Sequence, residues 1–182
     1  MNIKDKDTMT NENIKIEEDF LKQEDINKIQ ELMLGDLDFP WYFKYRFYDN
    51  INLHTRPIYD LNIDLKEDEL DKFSFVHTFY DSYSPLSPLM KHLDCILQLL
   101  QPASIMRIRA NLITRLPNIV ENPFHSDLTE LSEEKQKQWM TSIFYVNTND
   151  GYTVFEDGTK VESVANRILT FPANMKHTGT SC

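Results

Sequence analysis

A chain of 182 residues is long enough for one domain with a sizeable core, and its 19 Lys and Arg against 29 Asp and Glu leave a formal net charge of -10. Over the molecule as a whole that balance repels phosphate backbones and anionic membrane surfaces, which disfavours nonspecific nucleic-acid binding. No apolar run reaches the roughly 20 residues that span a bilayer, and the N-terminus lacks the apolar core of a secretory signal, so a soluble cytoplasmic protein without a membrane partner is expected.

Residues 1–13 carry almost no apolar side chains and read as a disordered leader, with a single domain expected over 14–182. "IKIEEDF" alternates briefly as a strand does. "QEDINKIQELMLG" then places Ile26, Ile29, Met33 and Leu34 at helical spacing and stops at Gly35. "FPWYFKYRFY" is aromatic and strand-like, and the acidic, Asn-rich stretch from about 49 to 72 reads as a long loop. "KFSFVHTFY" puts Phe73, Phe75, His77 and Phe79 on one face of a strand. "SPLSPL" opens a buried helix through "LMKHLDCILQLL" that ends before Pro102, with Cys95 as one of its small buried residues. Cys95 and Cys182 are too few for a disulfide scaffold and lack zinc-ligand spacing.

From residue 104 the texture changes to short β-rich runs: "SIMRIRANLIT", "WMTSIFYVNT", "YTVFE", "KVESV", "RILTF" and "KHTGT". The clusters "NTNDG", "EDG" and "FPAN" between them have the composition that closes hairpins. The expected fold is therefore α+β and mainly β, with an antiparallel core over 104–182 of sandwich or jelly-roll type, backed by helices and strands from 14–103.

"NPFHSD" sets His125 and Asp127 two residues apart. On an extended backbone both side chains then point the same way, because strand side chains repeat every second residue. A catalytic Fe(II) needs nitrogen and carboxylate ligands that leave coordination positions open, which two histidines and one carboxylate provide. The third ligand must come from another strand, and His177 in "NMKHTGT" is the candidate. Taken alone, His125 also reads as an ordinary polar loop residue. Of the other histidines, His77 is expected to pack among aromatics near the pocket, His92 lies on the helix and His54 in the long loop.

The ordered set of HxD, "YVNTNDGYTVFEDG", "NRILTF" and "HTG" resembles the Fe(II)- and 2-oxoglutarate-dependent dioxygenases, in particular their prolyl-hydroxylase-like branch with its phage and viral members. The resemblance is clearest over 104–182. It implies a double-stranded β-helix (jelly roll) core with His125, Asp127 and His177 as the Fe(II) ligands. It further implies 2-oxoglutarate as cosubstrate, O2 as oxidant, and hydroxylation of a protein side chain or small molecule. An aspartate at 127, rather than a small residue leaving room for halide, points to hydroxylation. Tyr145 in "FYVN" matches a tyrosine that binds the distal carboxylate of 2-oxoglutarate, Thr153 in "GYTVF" faces the same space, and Asn111 in "RANL" matches a strand position reaching the cosubstrate's other end. Tyr145 and Asn111 also have plainer readings: Tyr145 as a core aromatic, Asn111 as a polar residue at a strand edge.

In "IMRIRANL" the residues Arg107, Arg109 and Asn111 share one face and Met106, Ile108, Ala110 and Leu112 the other. Arg109 either helps hold a carboxylate inside the barrel or belongs to a solvated outer face. The question bears on a departure from the family pattern. Relatives carry an arginine roughly ten residues beyond the distal histidine, where it forms a bidentate pair with the cosubstrate, whereas the sequence here ends at Cys182, five residues past His177. A core lacking its last strand, with weakened 2-oxoglutarate binding, is the expectation; Arg109 is the first substitute cation. The competing function is a non-catalytic metal-binding or interaction domain of the same fold.

Overall fold

The structure, a computed structural model, describes residues 12–35, 38–45 and 73–182. The long loop at 49–72 with His54, and the leader up to residue 11, lie outside the described residues. The fold is mixed α and β, mostly β, with antiparallel sheets and few helices. The chain divides into two compact units, one combining Met1–Gly35 with Pro117–Cys182 and the other formed by Asp36–Leu116. Among the described residues no helix is long and apolar enough to cross a membrane.

The first unit opens with strand β1 (Lys15–Glu17) and helix α1 (Gln23–Leu34). Helix α1 buries Ile26, Ile29 and Met33, carries Glu24 and Asp25 in its first turn where the helix dipole favours negative charge, and ends at Gly35, whose N–H donates to the Glu31 carbonyl. Leu34, expected on the buried stripe, is 48% exposed. One residue past Met33 is about 100° further round the helix, which carries Leu34 off the covered face.

After the short helix α3 (Glu133–Gln136) come β6 (Met140–Tyr145), β7 (Tyr152–Phe155), β8 (Lys160–Glu162), β9 (Arg167–Pro172) and β10 (His177–Gly179), the lower numbers β2 to β5 belonging to the second unit. They form two antiparallel sheets ordered β1-β9-β6 and β10-β7-β8. The chain therefore passes from the first sheet (β6) to the second (β7, β8), back to the first (β9) and again to the second (β10). Of the three clusters expected to close hairpins, "EDG" does so, between the paired β7 and β8, with Gly158 at φ 86. "NTNDG" and "FPAN", expected to do the same, instead carry the chain from one sheet to the other. Turn-forming composition marks where a backbone reverses and is silent on which strand receives it.

Between the sheets lies a core of Tyr145, Phe155, Val161, Leu169 and Phe171, against which Ile14, Ile143 and Met175 pack. Strand β9 is central in its sheet and covered on both faces: Leu169 and Phe171 point into this core, while Ile168 is buried on the opposite side, the side of its cross-strand partner Phe144, whose ring lies 6.3 Å from Phe20.

The β8–β9 connection turns on Asn166, which is buried at φ 65. Its Oδ1 accepts from the Leu21 N–H at 2.8 Å, and its Nδ2 donates to the Leu21 carbonyl at 2.8 Å. Its backbone N–H donates to the Tyr145 carbonyl and its own carbonyl accepts from Phe20. One side chain thus ties the N-terminal segment to the sheet. Asn166→Ala should cost about 2–4 kcal/mol, since both Leu21 backbone groups lose their partner and alanine takes up a positive φ less readily than asparagine. Urea denaturation of this variant beside Asn166→Asp, which keeps an acceptor, checks the assignment.

In the second unit β3 (Phe73–Asp81) is the central strand, flanked by β2 (Tyr42–Tyr45), β4 (Ser84–Pro85) and β5 (Arg107–Leu112). The expected face of Phe73, Phe75, His77 and Phe79 is only partly realised: His77 and Phe79 are buried, with Ser74, while Phe73 and Phe75 are half-buried. The pairing of β3 with β5 slips between Thr78 and Tyr80, and such a bulge interrupts simple alternation. His77 donates from Nδ1 to the Pro40 carbonyl at 2.9 Å, and its Nε2 meets the Ser87 hydroxyl at 2.8 Å. That makes it a satisfied core histidine.

The expected single buried helix begins instead as a 3-10 turn (Pro88–Leu93), capped by the Ser87 hydroxyl accepting from the Leu89 N–H, and continues as α2 (Asp94–Leu100). No residue of α2 is fully buried, and Cys95 is half-buried rather than enclosed. An apolar composition does not bury a seven-residue helix unless neighbours cover all its sides.

Candidate metal site

The segment at 121–125 lies along the free edge of β10, bridging at Glu121 to Thr180 and at His125 to His177. His125 and His177 exchange both backbone hydrogen bonds, at 3.0 and 2.9 Å. Residues paired in this way project their side chains to the same face. Their rings consequently stand 4.8 Å apart between centroids. Two residues on, the Asp127 N–H donates to the carbonyl of Ala173, just past the end of β9, and Leu128 takes up φ 55. A buried leucine in that region is uncommon, and it turns the chain away directly after the carboxylate.

Ligand atoms of His125, Asp127 and His177 all lie within 4.8 Å of one another, and the group could hold a metal ion. Donors bound at about 2.0–2.2 Å on one face of an octahedron stand about 3 Å apart, so side-chain rotations that draw the ligand atoms together would close the cluster around an ion. Exposure is graded: His177 is 5% exposed, Asp127 intermediate and His125 open to solvent.

His177 donates from Nδ1 to the Met175 carbonyl at 3.0 Å, which fixes the tautomer and turns Nε2 toward Asp127 Oδ2, 3.8 Å away. Burial is the largest influence on this imidazole and lowers its pKa, against the Met175 hydrogen bond and the Asp127 charge, which raise it. The neutral ring presents a lone pair, so a nitrogen acceptor and a carboxylate oxygen face each other. A cation between them would be bound by both.

The walls are apolar and hydroxylic. The Phe171 ring packs at 4.6 Å and 67° to His177, and Phe155, the cross-strand partner of His177, meets Phe171 at 4.9 Å and 89°. Thr153 is two residues from Phe155 on the same face of β7, roughly 7 Å along the strand. Its Oγ1 meets the Tyr145 hydroxyl at 2.8 Å. Tyr145 and Thr153 are both buried and both point between the sheets, but from facing sheets rather than from adjacent strands of one sheet. Burial pushes the Tyr145 phenol up to about 12, against the Thr153 hydrogen bond and the Arg167 charge, so it remains a neutral hydroxyl.

Arg109 and Asn111 belong to the other compact unit, on β5, where they pair with Thr78 and Val76. Arg109 is half-buried and Asn111 exposed. One contributor escaped the sequence reading altogether: the Thr141 hydroxyl donates to Asp127 Oδ2 at 2.6 Å. A signal existed, since Thr141 shares the strand parity of Tyr145 in "MTSIFY".

Comparison with protein-family models, with curated proteins and with solved structures found no match.

Proposed function

We propose that this chain is an Fe(II)- and 2-oxoglutarate-dependent oxygenase that hydroxylates a protein side chain or a small molecule. The observation that carries the reading is the convergence of His125, Asp127 and His177 from two separated segments, with His177 Nε2 and Asp127 Oδ2 3.8 Å apart. Two imidazoles and one carboxylate suit a first-row divalent metal and leave coordination positions open. The passage of the chain between the two sheets, with 121–125 continuing the second sheet beside β10, supports a double-stranded β-helix, or jelly roll, as the architecture around the site.

In this reading His125, Asp127 and His177 would hold Fe(II). When bound, the metal supplies the redox chemistry that couples 2-oxoglutarate, O2 and R–H to succinate, CO2 and R–OH. The protein's own residues bind, orient and exclude water. Phe155 and Phe171 form a dry wall behind His177. Tyr145 and Thr153 offer neutral hydroxyls that would bond the cosubstrate's far carboxylate in place of each other. His125, on the solvent side, marks where a second substrate approaches.

A non-catalytic metal-binding domain is the second reading, and the mutual hydrogen bond of Tyr145 and Thr153 is the observation in its favour, because neither hydroxyl is left needing a ligand. The two readings separate on one assay. Aerobic incubation with Fe(II) and 2-oxoglutarate should yield succinate, and Asp127→Ala should yield none. Metal binding without any succinate above the metal-free control would favour the second reading.

A further inference from the structure

The side chains of Thr141, Ile143 and Tyr145 share the inward face of β6. Ile143 and Tyr145 pack with the core there, and Thr141 sits opposite Phe171, the ring that supports His177. Its hydroxyl reaches Asp127 Oδ2 at 2.6 Å, the short distance typical of a hydroxyl bonded to an ionised carboxylate. The same oxygen faces His177 Nε2 at 3.8 Å. A carboxylate can turn about its last bond, and a hydrogen bond to one of its oxygens restrains that turn, so Thr141 constrains the plane of Asp127 relative to the two imidazoles.

We propose that Thr141 is a positioning residue for the metal: its hydroxyl fixes the rotation of the Asp127 carboxylate so that it is presented to the ion in one orientation. This rests on the metal-site reading above. The hydroxyl also takes up one lone pair of Oδ2, which biases the carboxylate toward binding through a single oxygen and keeps a further coordination position open. Partners of this kind, one bond removed from the metal, typically change its affinity by about 10- to 100-fold when removed.

The test is titration of the metal-free full chain with Co(II), whose visible absorption reports coordination number and geometry, in the wild type, Thr141→Ser and Thr141→Ala. Thr141→Ser keeps the hydroxyl and should match the wild type in affinity and spectrum. Thr141→Ala should bind about 10- to 100-fold more weakly, with altered band intensity, while its thermal unfolding without metal stays close to that of Thr141→Ser. Should Thr141→Ala fail to fold, Thr141→Val, which fills the same volume without the hydroxyl, takes its place. Equal affinities and spectra for the serine and alanine or valine variants would overturn the positioning role and leave the metal site standing. A wild-type chain that does not bind Co(II) would overturn the site itself.

Discussion

With the proposed metal site, His177→Ala should lower divalent-metal affinity by at least about a hundredfold, beyond what loss of a supporting residue produces, while both antiparallel sheets persist. The size follows from what the residue does. His125 lies in solvent and Asp127 is partly exposed, so His177 is the buried donor, and its Nδ1 bond to the Met175 carbonyl aims Nε2 into the cluster without further cost on binding. The backbone bonds between residues 125 and 177 do not involve either side chain and survive the substitution. Asp127→Asn is the stricter control: it preserves shape and a hydrogen-bond acceptor for Thr141 and removes the charge, and it should weaken metal binding as well. Co(II) titration together with far-ultraviolet circular dichroism separates lost affinity from lost fold.

Phe171→Ala destabilises the first unit by about 3–5 kcal/mol, the range for deleting a fully enclosed aromatic ring. Phe171 is 0% exposed on the central strand of its sheet and meets both Phe155 and His177 ring to ring. The cavity would open directly beneath the distal histidine, so metal affinity should fall along with stability. Phe171→Leu should recover most of the stability and less of the affinity, because leucine fills volume without offering the ring edge that holds the imidazole. Urea denaturation with and without Co(II) reads both effects, and a Phe171→Ala chain of unchanged midpoint would contradict the description of the core.

The strands around the site could be read from their short β-rich composition and the turn clusters between them, although their burial does not alternate. "RILTF", "YTVFE" and "KHTGT" became β9, β7 and β10, and Tyr145 and Thr153, which the resemblance set facing one space, are both buried and hydrogen-bonded to each other. The HxD spacing likewise brought His125 and Asp127 to one side, and the bridge at residue 177 completed the group.

Partner choice was harder to read. "NTNDG" and "FPAN" look like hairpin turns, yet each crosses between sheets, because the side-chain period says which face is apolar and not which strand lies alongside. The helix at 88–100 was misjudged for a related reason. Its leucines satisfy a helical period, but burial depends on what packs around it, and α2 buries none of its residues fully. Strand parity puts Thr141 on the face of Tyr145, but a threonine in a strand is ordinary, and its bond to Asp127 is a relation between separate segments that no local pattern encodes.

Anaerobic titration of the full chain with Fe(II), first alone and then with 2-oxoglutarate, decides whether His125, Asp127 and His177 form an Fe(II) site open to 2-oxoglutarate. The proposed site should give saturable binding of one Fe(II) per chain and, only when both are present, a visible charge-transfer band that is absent from His177→Ala and Asp127→Ala. Failure of the wild-type chain to bind Fe(II), or an identical band in those variants, would contradict it.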